Sequence, residues 1–342
     1  MIIFFPTYAR PAADGRRWTA TVAGMVTRPL PARCRRRTLA VAVLKRLLDL
    51  EDADLDTDVF RRRAEAFLFQ RVAGQRVRVS IGDRTVDAGH SDKIGHFQVT
   101  CDLDDTLVAA LATGTAAGGR RVAYSATAGG DEPDEPPQDA TGGCIHLVED
   151  EGLSVISDID DTVKVTNVAD RRELLRNTLL REFTAVPGMA DVYSRWQAAG
   201  TAFHYVSASP WQLATCLHGF LGEAGLPLGS LHLKIFRLKD STPLGRFPSR
   251  KRSKRRAIEQ ILDDFPRRRF VLIGDSGERD PEVYHAVARR RPAQVAGIAI
   301  RQLDGHAPPH KVRARLERIA RRLPSGGLRI FTTADELAGF FV

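Results

Sequence analysis

The sequence predicts an α/β protein: a parallel sheet covered by helices on both faces over residues 151–342, preceded by a β-rich unit with helical additions over residues 1–150. Three observations predict it. Beyond residue 152, compact apolar runs alternate with amphipathic helical stretches. Before it, short strands alternate in polarity between turn-rich segments. The first unit also holds an acidic, proline-rich stretch that disfavours regular structure. With 342 residues, the chain can bury an apolar core in each of two units.

The elements follow in chain order. Met1-Ile2-Ile3-Phe4-Phe5 is apolar but has no basic leader, and Pro6 ends it short of signal-peptide length. It reads as a buried strand, and the protein is expected to be cytoplasmic. Leu39, Val43, Leu44, Leu47 and Leu48 stand at helical spacing, and a second helix is expected over 58–69. The apolar stretch 38–50 is cut by Lys45 and Arg46 and is shorter than the ~20 residues that span a bilayer. Strands are expected at Arg76–Ile81, at 96–101 and at 121–124. The stretch Gly129-Gly130-Asp131-Glu132-Pro133-Asp134-Glu135-Pro136-Pro137 reads as a loop. Strands over 153–156, 203–206, 270–273 and 295–300 then interleave with helices over 191–198, 211–224, 255–265 and 281–290, the rhythm of a parallel sheet. Ligands of such sheets sit beyond the carboxyl ends of the strands.

The chemistry-bearing residues fall at those ends. Asp158 and Asp160 leave the first parallel strand two residues apart, with Thr162 two further on. Carboxylates at this spacing can point into one cleft, as a nucleophile beside a general acid and base requires. Asp and Thr also favour plain turns, so the motif alone does not decide. The chain contains it twice: Asp102-Leu103-Asp104-Asp105-Thr106 follows a strand whose apolar Phe97, Val99 and Cys101 alternate with Gln98 and Thr100. That alternation marks a half-exposed antiparallel strand, and no parallel-strand series follows it directly.

What distinguishes Asp158 is order. Ser207 ends the next strand beside a helix start, where backbone N–H groups favour an anion. Lys254 stands one turn ahead of the stripe Ile258, Ile261, Leu262 and Phe265, placed to neutralise a phosphoryl group. Then 270–273 runs into Gly274-Asp275-Ser276-Gly277-Glu278-Arg279-Asp280. Each residue alone has a plain structural reading, as a cap, a turn residue or one charge in a basic run. Asp160 has acidic neighbours on both sides, which predicts a raised pKa and a proton available near neutral pH.

This order resembles the haloacid dehalogenase superfamily of aspartyl-phosphate-forming phosphatases. Asp158-Ile-Asp-Asp-Thr-Val-Lys-Val-Thr, Arg172-Glu-Leu-Leu-Arg-Asn-Thr, Ala185-Val-Pro-Gly-Met, Tyr205-Val-Ser-Ala-Ser-Pro-Trp, Leu231-His-Leu-Lys and Gly274-Asp-Ser-Gly-Glu-Arg-Asp-Pro-Glu-Val-Tyr are similar to one branch of it, the actin-patch phosphatidate phosphatases, relatives of the lipins. The resemblance covers about residues 150–305, with weaker motifs in the first half of the chain. It implies a haloacid-dehalogenase-like Rossmannoid sheet without a large cap. It implies Asp158 as nucleophile, Asp160 as acid and then base, and Ser207 and Lys254 on the phosphoryl oxygens, with Thr162 beside the substrate. One Mg²⁺ would be held by Asp158, Asp275 and the main-chain carbonyl of Asp160, with Asp280 behind them.

Composition bears on the partner. The net charge of +9 is carried largely by arginine-rich clusters at 33–37, 61–63, 249–256 and 311–322. Such a field attracts polyanions, although charge runs also serve simply as solvated faces. No stacking motif or reading helix accompanies it, so a nucleic-acid partner is not expected. The segment from Thr162 to Phe203 has room for a flap and a helix but not for a large lid domain, so a phosphate on a large carrier has access. Residues 246–256 could rest on anionic headgroups, making the protein peripheral at a membrane. The expected function is Mg²⁺-dependent hydrolysis of phosphatidate to diacylglycerol and phosphate. The alternatives are a phosphatase for another lipid or soluble monoester and a non-catalytic phosphatidate-binding module. Lys164 and Arg237 are open between head-group contact and ordinary positions. The four cysteines, Cys34, Cys101, Cys144 and Cys216, are scattered without CxxC spacing. This spacing suggests buried free thiols and neither a zinc site nor a disulfide framework.

Overall fold

The chain opens in β1 (Ile2–Phe5), β2 (Thr7–Pro11) and the long β3 (Arg17–Pro29), with β3 antiparallel to both. The computed structural model describes residues 1–31, 34, 35, 38, 42, 45, 57–65, 67, 69–115, 119–129, 142–167, 171–234, 250–303, 309–321 and 327–340. Most of the helix expected around Leu39 to Leu48, most of the proline-rich loop, Arg237 and residues 246–249 lie outside the described residues. Next come α1 (Asp58–Glu65), β4 (Phe69–Arg71), β5 (Arg76–Ile81), β6 (Arg84–His90), β7 (His96–Asp104), α2 (Asp105–Leu111), β8 (Arg120–Gly129) and β9 (Gly142–Leu147). The helix expected over 58–69 stops at Glu65, and Phe69 instead pairs with Pro29 in β4. The sheet runs β1-β3-β2-β9-β8-β5-β6, with β4 and β7 also paired to β3.

Strand periodicity divides β1 between two cores. Ile2 and Phe4 join Val77, Val79, Ile81 and Leu103 inside this first sheet, while Ile3 and Phe5 join Val155, Phe203 and Trp211 of the second. Successive side chains of a strand point to opposite faces, so one short apolar strand serves both.

The second sheet comprises β10 (Leu153–Ser157), β11 (Ala202–Pro210), β12 (Ser230–Lys234), β13 (Arg269–Asp275), β14 (Val295–Arg301) and β15 (Leu328–Phe331). All are parallel, in the order β12-β11-β10-β13-β14-β15. Counted from β10 this is the doubly wound order, which reverses between β10 and β13 and opens a crevice at their carboxyl ends. The helices are α3 (Arg171–Leu179), α4 (Met189–Ala198), α5 (Ala214–Glu223) after a single 3-10 turn, α6 (Arg250–Asp264), α7 (Asp280–Arg290) and α8 (Pro309–Ala320). Val155, Phe203, Tyr205, Val271 and Ile273 pack with α4 and α5 on one face. Ile156, Val206, Phe270, Leu272 and Ile298 pack with α6 and α7 on the other. Central strands buried on both faces read as continuous apolar runs, whereas the edge strands β12 and β15 carry His232 and Arg329 and make no such run.

The two sheets meet closely. The break between them falls between Leu147 and Leu153. The Leu231 N–H donates to the Pro6 carbonyl at 2.8 Å, and the Tyr8 hydroxyl donates to Asp264 of α6 at 2.5 Å. Among the described residues no helix is long and apolar enough to cross a membrane.

Candidate active site

Asp158 leaves β10 at the reversal point, its backbone N–H bonded to the Ile273 carbonyl of β13 at 2.8 Å. The chain then turns sharply: Asp161 takes a left-handed φ of 55°, and its carboxylate accepts from the N–H groups of Thr166 (2.7 Å) and Asn167 (2.8 Å). Arg301, at the end of β14, donates to the Asp161 carbonyl at 2.8 Å. This turn sends Asp158 and Asp160 into two neighbouring networks.

The first network surrounds Asp158, which is 1% exposed. The Lys254 ammonium, delivered by α6, donates to Asp158 Oδ1 at 2.6 Å, and Thr162 donates to Oδ2 at 3.3 Å. Lys254 also donates to Asp280 at the start of α7, and Glu278 lies 3.9 Å from it. Asp275 ends β13 fully buried, its Oδ1 accepting from the N–H groups of Gly277 (2.6 Å) and Glu278 (2.9 Å). Gly274 is required here by space: a Cβ on it would sit 2.2 Å from Asp280 Oδ2. Any side chain would push Asp280 off Lys254.

Four carboxylates thus share one ammonium among the described residues. Burial, only partly offset by Lys254, raises the pKa of Asp158 well above the carboxylate range, and Asp280, Glu278 and Asp275 add to it. Burial and the neighbouring Asp280 push Asp275 up to about 8. Asp275 Oδ2 is buried with no hydrogen-bond partner among the described residues, and carboxylate oxygens of Asp158, Glu278 and Asp280 lie within 4.8 Å of one another. An all-oxygen donor set with surplus negative charge fits a hard divalent cation. Of Lys254, Arg255 and Arg256 in the basic run, it is Lys254 whose side chain meets Asp158, its Nζ 2.6 Å from Oδ1.

The second network surrounds Asp160. Its Oδ1 accepts from Lys164 and Thr166, each at 2.9 Å, and its Oδ2 from Ser207 at 3.1 Å and Ser209 at 2.6 Å. Here the expectation of a raised pKa fails. Burial does pull it up, but Lys164 and the hydrogen bonds from Ser209, Lys164 and Thr166 outweigh burial and bring it down to about 2. The acidic neighbours in sequence point elsewhere, and Asp160 is held as a carboxylate. Lys164 is accordingly a buried partner of Asp160, 1% exposed, and not a surface contact.

The structure therefore gathers Asp158, Thr162, Lys254, Asp275 and Asp280 in one cluster and sets Asp160 with Ser207 beside it. The sequence reading missed Thr166, Ser209 and Glu278 as members. Ser209 repeats Ser207 two residues on, and Lys164 and Thr166 continue the same spacing after Thr162, so alternation was the available signal. The second Asp-x-Asp-x-Thr motif is structural. Asp104 caps α2 by accepting from the Leu107 N–H at 2.8 Å, Asp102 pairs with Arg17 at 2.9 Å, and Asp105 accepts from the Trp18 indole at 3.0 Å.

Comparison with known proteins places this arrangement. Residues 153–302 match the family model described as phosphatidate phosphatase APP1, catalytic domain. The chain is 36% identical over 160 residues to Phosphatidate phosphatase APP1 of Saccharomyces cerevisiae, covering 46% of this chain and 27% of that protein. It is 34% identical over 163 residues to an uncharacterized protein of Schizosaccharomyces pombe, covering 46% of this chain and 26% of that one. The matched region thus spans about a quarter of the length of these curated relatives. Among solved structures, a Bifidobacterium dentium beta-glucuronidase complex aligns over 96% of this chain and 60% of its own at 11% identity, with a TM-score of 0.27, too low to inform the fold. Residues 153–302, the segment that carries every site residue above, are thus similar to the catalytic domain of phosphatidate phosphatase APP1.

Proposed function

We propose that the protein is a Mg²⁺-dependent phosphatidate phosphatase that works through an aspartyl-phosphate on Asp158, on a haloacid-dehalogenase-like sheet without a large cap. The observation that carries this reading is the buried Asp158 carboxylate at the sheet's reversal point, 2.6 Å from the Lys254 ammonium. A nucleophile there meets an anion-binding cation inside a water-poor crevice.

Asp158 attacks phosphorus, the ester oxygen leaves as diacylglycerol, and the phosphoryl group remains on Asp158 as an acyl phosphate. Lys254, oriented by Asp280, offsets the charge on the phosphoryl oxygens, with Ser207 and Thr162 able to donate to them. Asp160 delivers a proton to the departing oxygen and removes one from the water that cleaves the acyl phosphate. In the conformation described here it is ionised, the form needed for the second step. For the first it must take up a proton, which requires loosening its contacts with Lys164 and Ser209. Mg²⁺, held by Asp158, Asp275 and the main-chain carbonyl of Asp160, would supply electrostatic stabilisation of the phosphoryl charge when bound. The substrate is a phosphate on a membrane lipid. The basic start of α6, where Arg252 is exposed, would rest at an anionic surface from the cytoplasmic side.

The test is phosphate release from phosphatidate-containing liposomes with Mg²⁺, wild type against Asp158→Asn. Wild type is expected to release phosphate and the variant to fall to background. Equal release by both overturns the mechanism, and release only from a soluble monoester overturns the lipid assignment. Liposome binding without release by wild type identifies a binding module.

A further inference from the structure

We propose that Cys144, His146 and His218 form a zinc site that ties the amino-terminal sheet to the parallel-sheet unit. Cys144 and His146 stand two apart on β9 and so share a face, while Ile145 between them enters the first core with no exposure. His218 arrives from α5, on the other side of the junction. Cys144 Sγ lies 3.6 Å from His146 Nε2 and 3.9 Å from His218 Nε2, and the three ligand atoms all fall within 4.8 Å of one another.

These spacings suit zinc. With Zn–S of about 2.3 Å and Zn–N of about 2.0–2.1 Å, the sulfur-to-nitrogen edge of a tetrahedral site is ~3.5 Å. Both separations come within a few tenths of an ångström of that edge, so closure needs only small side-chain adjustment. One thiolate and two imidazoles make a softer donor set than the carboxylates around Asp158, and prefer zinc where those prefer magnesium. His146 is buried, whereas Cys144 and His218 are half-buried and line a cavity of about 640 Å³ with Gln212, Thr215 and Cys216. The fourth coordination position faces this cavity, where water completes it. On binding, the Cys144 thiol releases its proton to solvent as the S–Zn bond forms, with no change of oxidation state. Sequence spacing could not reveal the site, because its ligands are separated by the whole of β10 to β11 and meet only across the junction.

The test is a Co²⁺ titration of the chelator-stripped full chain, followed by absorption. A thiolate ligand gives a sulfur-to-cobalt charge-transfer band that the carboxylate site cannot produce. Wild type is expected to develop this band to one equivalent, to lose it when Zn²⁺ is added, and to gain thermal stability from Zn²⁺. The near-isosteric Cys144→Ser should lack the band and the stabilisation, and His218→Gln should bind at least ~10-fold more weakly. Mg²⁺-dependent phosphatase activity of Cys144→Ser should match wild type, which separates this site from the one around Asp158. Absence of the band in wild type, or an equal band in Cys144→Ser, overturns the proposal.

Discussion

Asp158 and Asp160 are two residues apart and of one chemical type, yet their surroundings drive them in opposite directions. Asp158 is buried among Asp275, Glu278 and Asp280 with a shared ammonium, and its ionised form is disfavoured. Asp160 is equally enclosed but accepts from Lys164, Thr166, Ser207 and Ser209, and its ionised form is favoured. Burial raises a carboxylate pKa in both cases, and the donors facing each group decide the outcome. Asp160→Asn should slow phosphatidate hydrolysis by ~10²–10⁴-fold, the usual worth of a positioned acid or base. On an aryl phosphate, whose leaving group needs no proton, the variant should still release a burst of phenol equal to the enzyme and then stall at the acyl phosphate. Stopped-flow absorbance reads the burst. Equal losses on both esters without a burst would remove Asp160 from both steps.

At the scale of elements, the repeated Asp-x-Asp-x-Thr motif shows why a strand's surroundings matter more than its exit residues. β7 is antiparallel, and its exit carboxylates are absorbed by the α2 cap and by Arg17, Thr19 and Trp18. β10 is the central parallel strand, with exit carboxylates directed into a crevice because its neighbours β11 and β13 carry their helices away on opposite faces. Asp104→Ala should therefore cost ~1 kcal/mol of stability, the value of an N-cap, in urea denaturation. Asp102→Asn and Asp104→Ala should both keep full phosphatase activity. A loss of activity in Asp102→Asn at unchanged stability would contradict the structural role assigned to that motif.

At the scale of the molecule, the junction between the sheets holds a cluster of neutral imidazoles. The Ser230 hydroxyl bonds His204 Nδ1 at 2.7 Å and His232 Nε2 at 2.9 Å, with the Tyr8 ring 5.5 Å and 5.9 Å from the two imidazoles. Burial holds His232 down to about 4, and burial with neighbouring His232 and Arg268 holds His204 well below its ordinary value of 6.5. The unfolded chain then binds more protons than the folded one between pH 4 and 6.5. The stabilisation is complete above pH 6.5 and is lost as pH falls, each imidazole adding a slope of up to ~1.4 kcal/mol per pH unit. Urea unfolding from pH 8 to 4 should show this, with a shallower slope in His232→Gln. Several levels of the architecture were legible in the sequence. The four central parallel strands were, because burial on both faces requires unbroken apolar runs. So were the positions of Asp158, Ser207, Lys254 and Asp275 at or near strand and helix ends, because a doubly wound sheet gathers its ligands there. The edge strands β12 and β15, the long β3 and the cage around Asp160 were not, since edge strands need no apolar run and hydrogen-bond partners leave no periodic trace. The sequence by itself determined the order of elements and the chemistry each could carry. Only the tertiary structure decided which carboxylate is held ionised, which face of β1 serves which core, and that Cys144, His146 and His218 meet, because burial and proximity between distant segments exist only once the chain has folded.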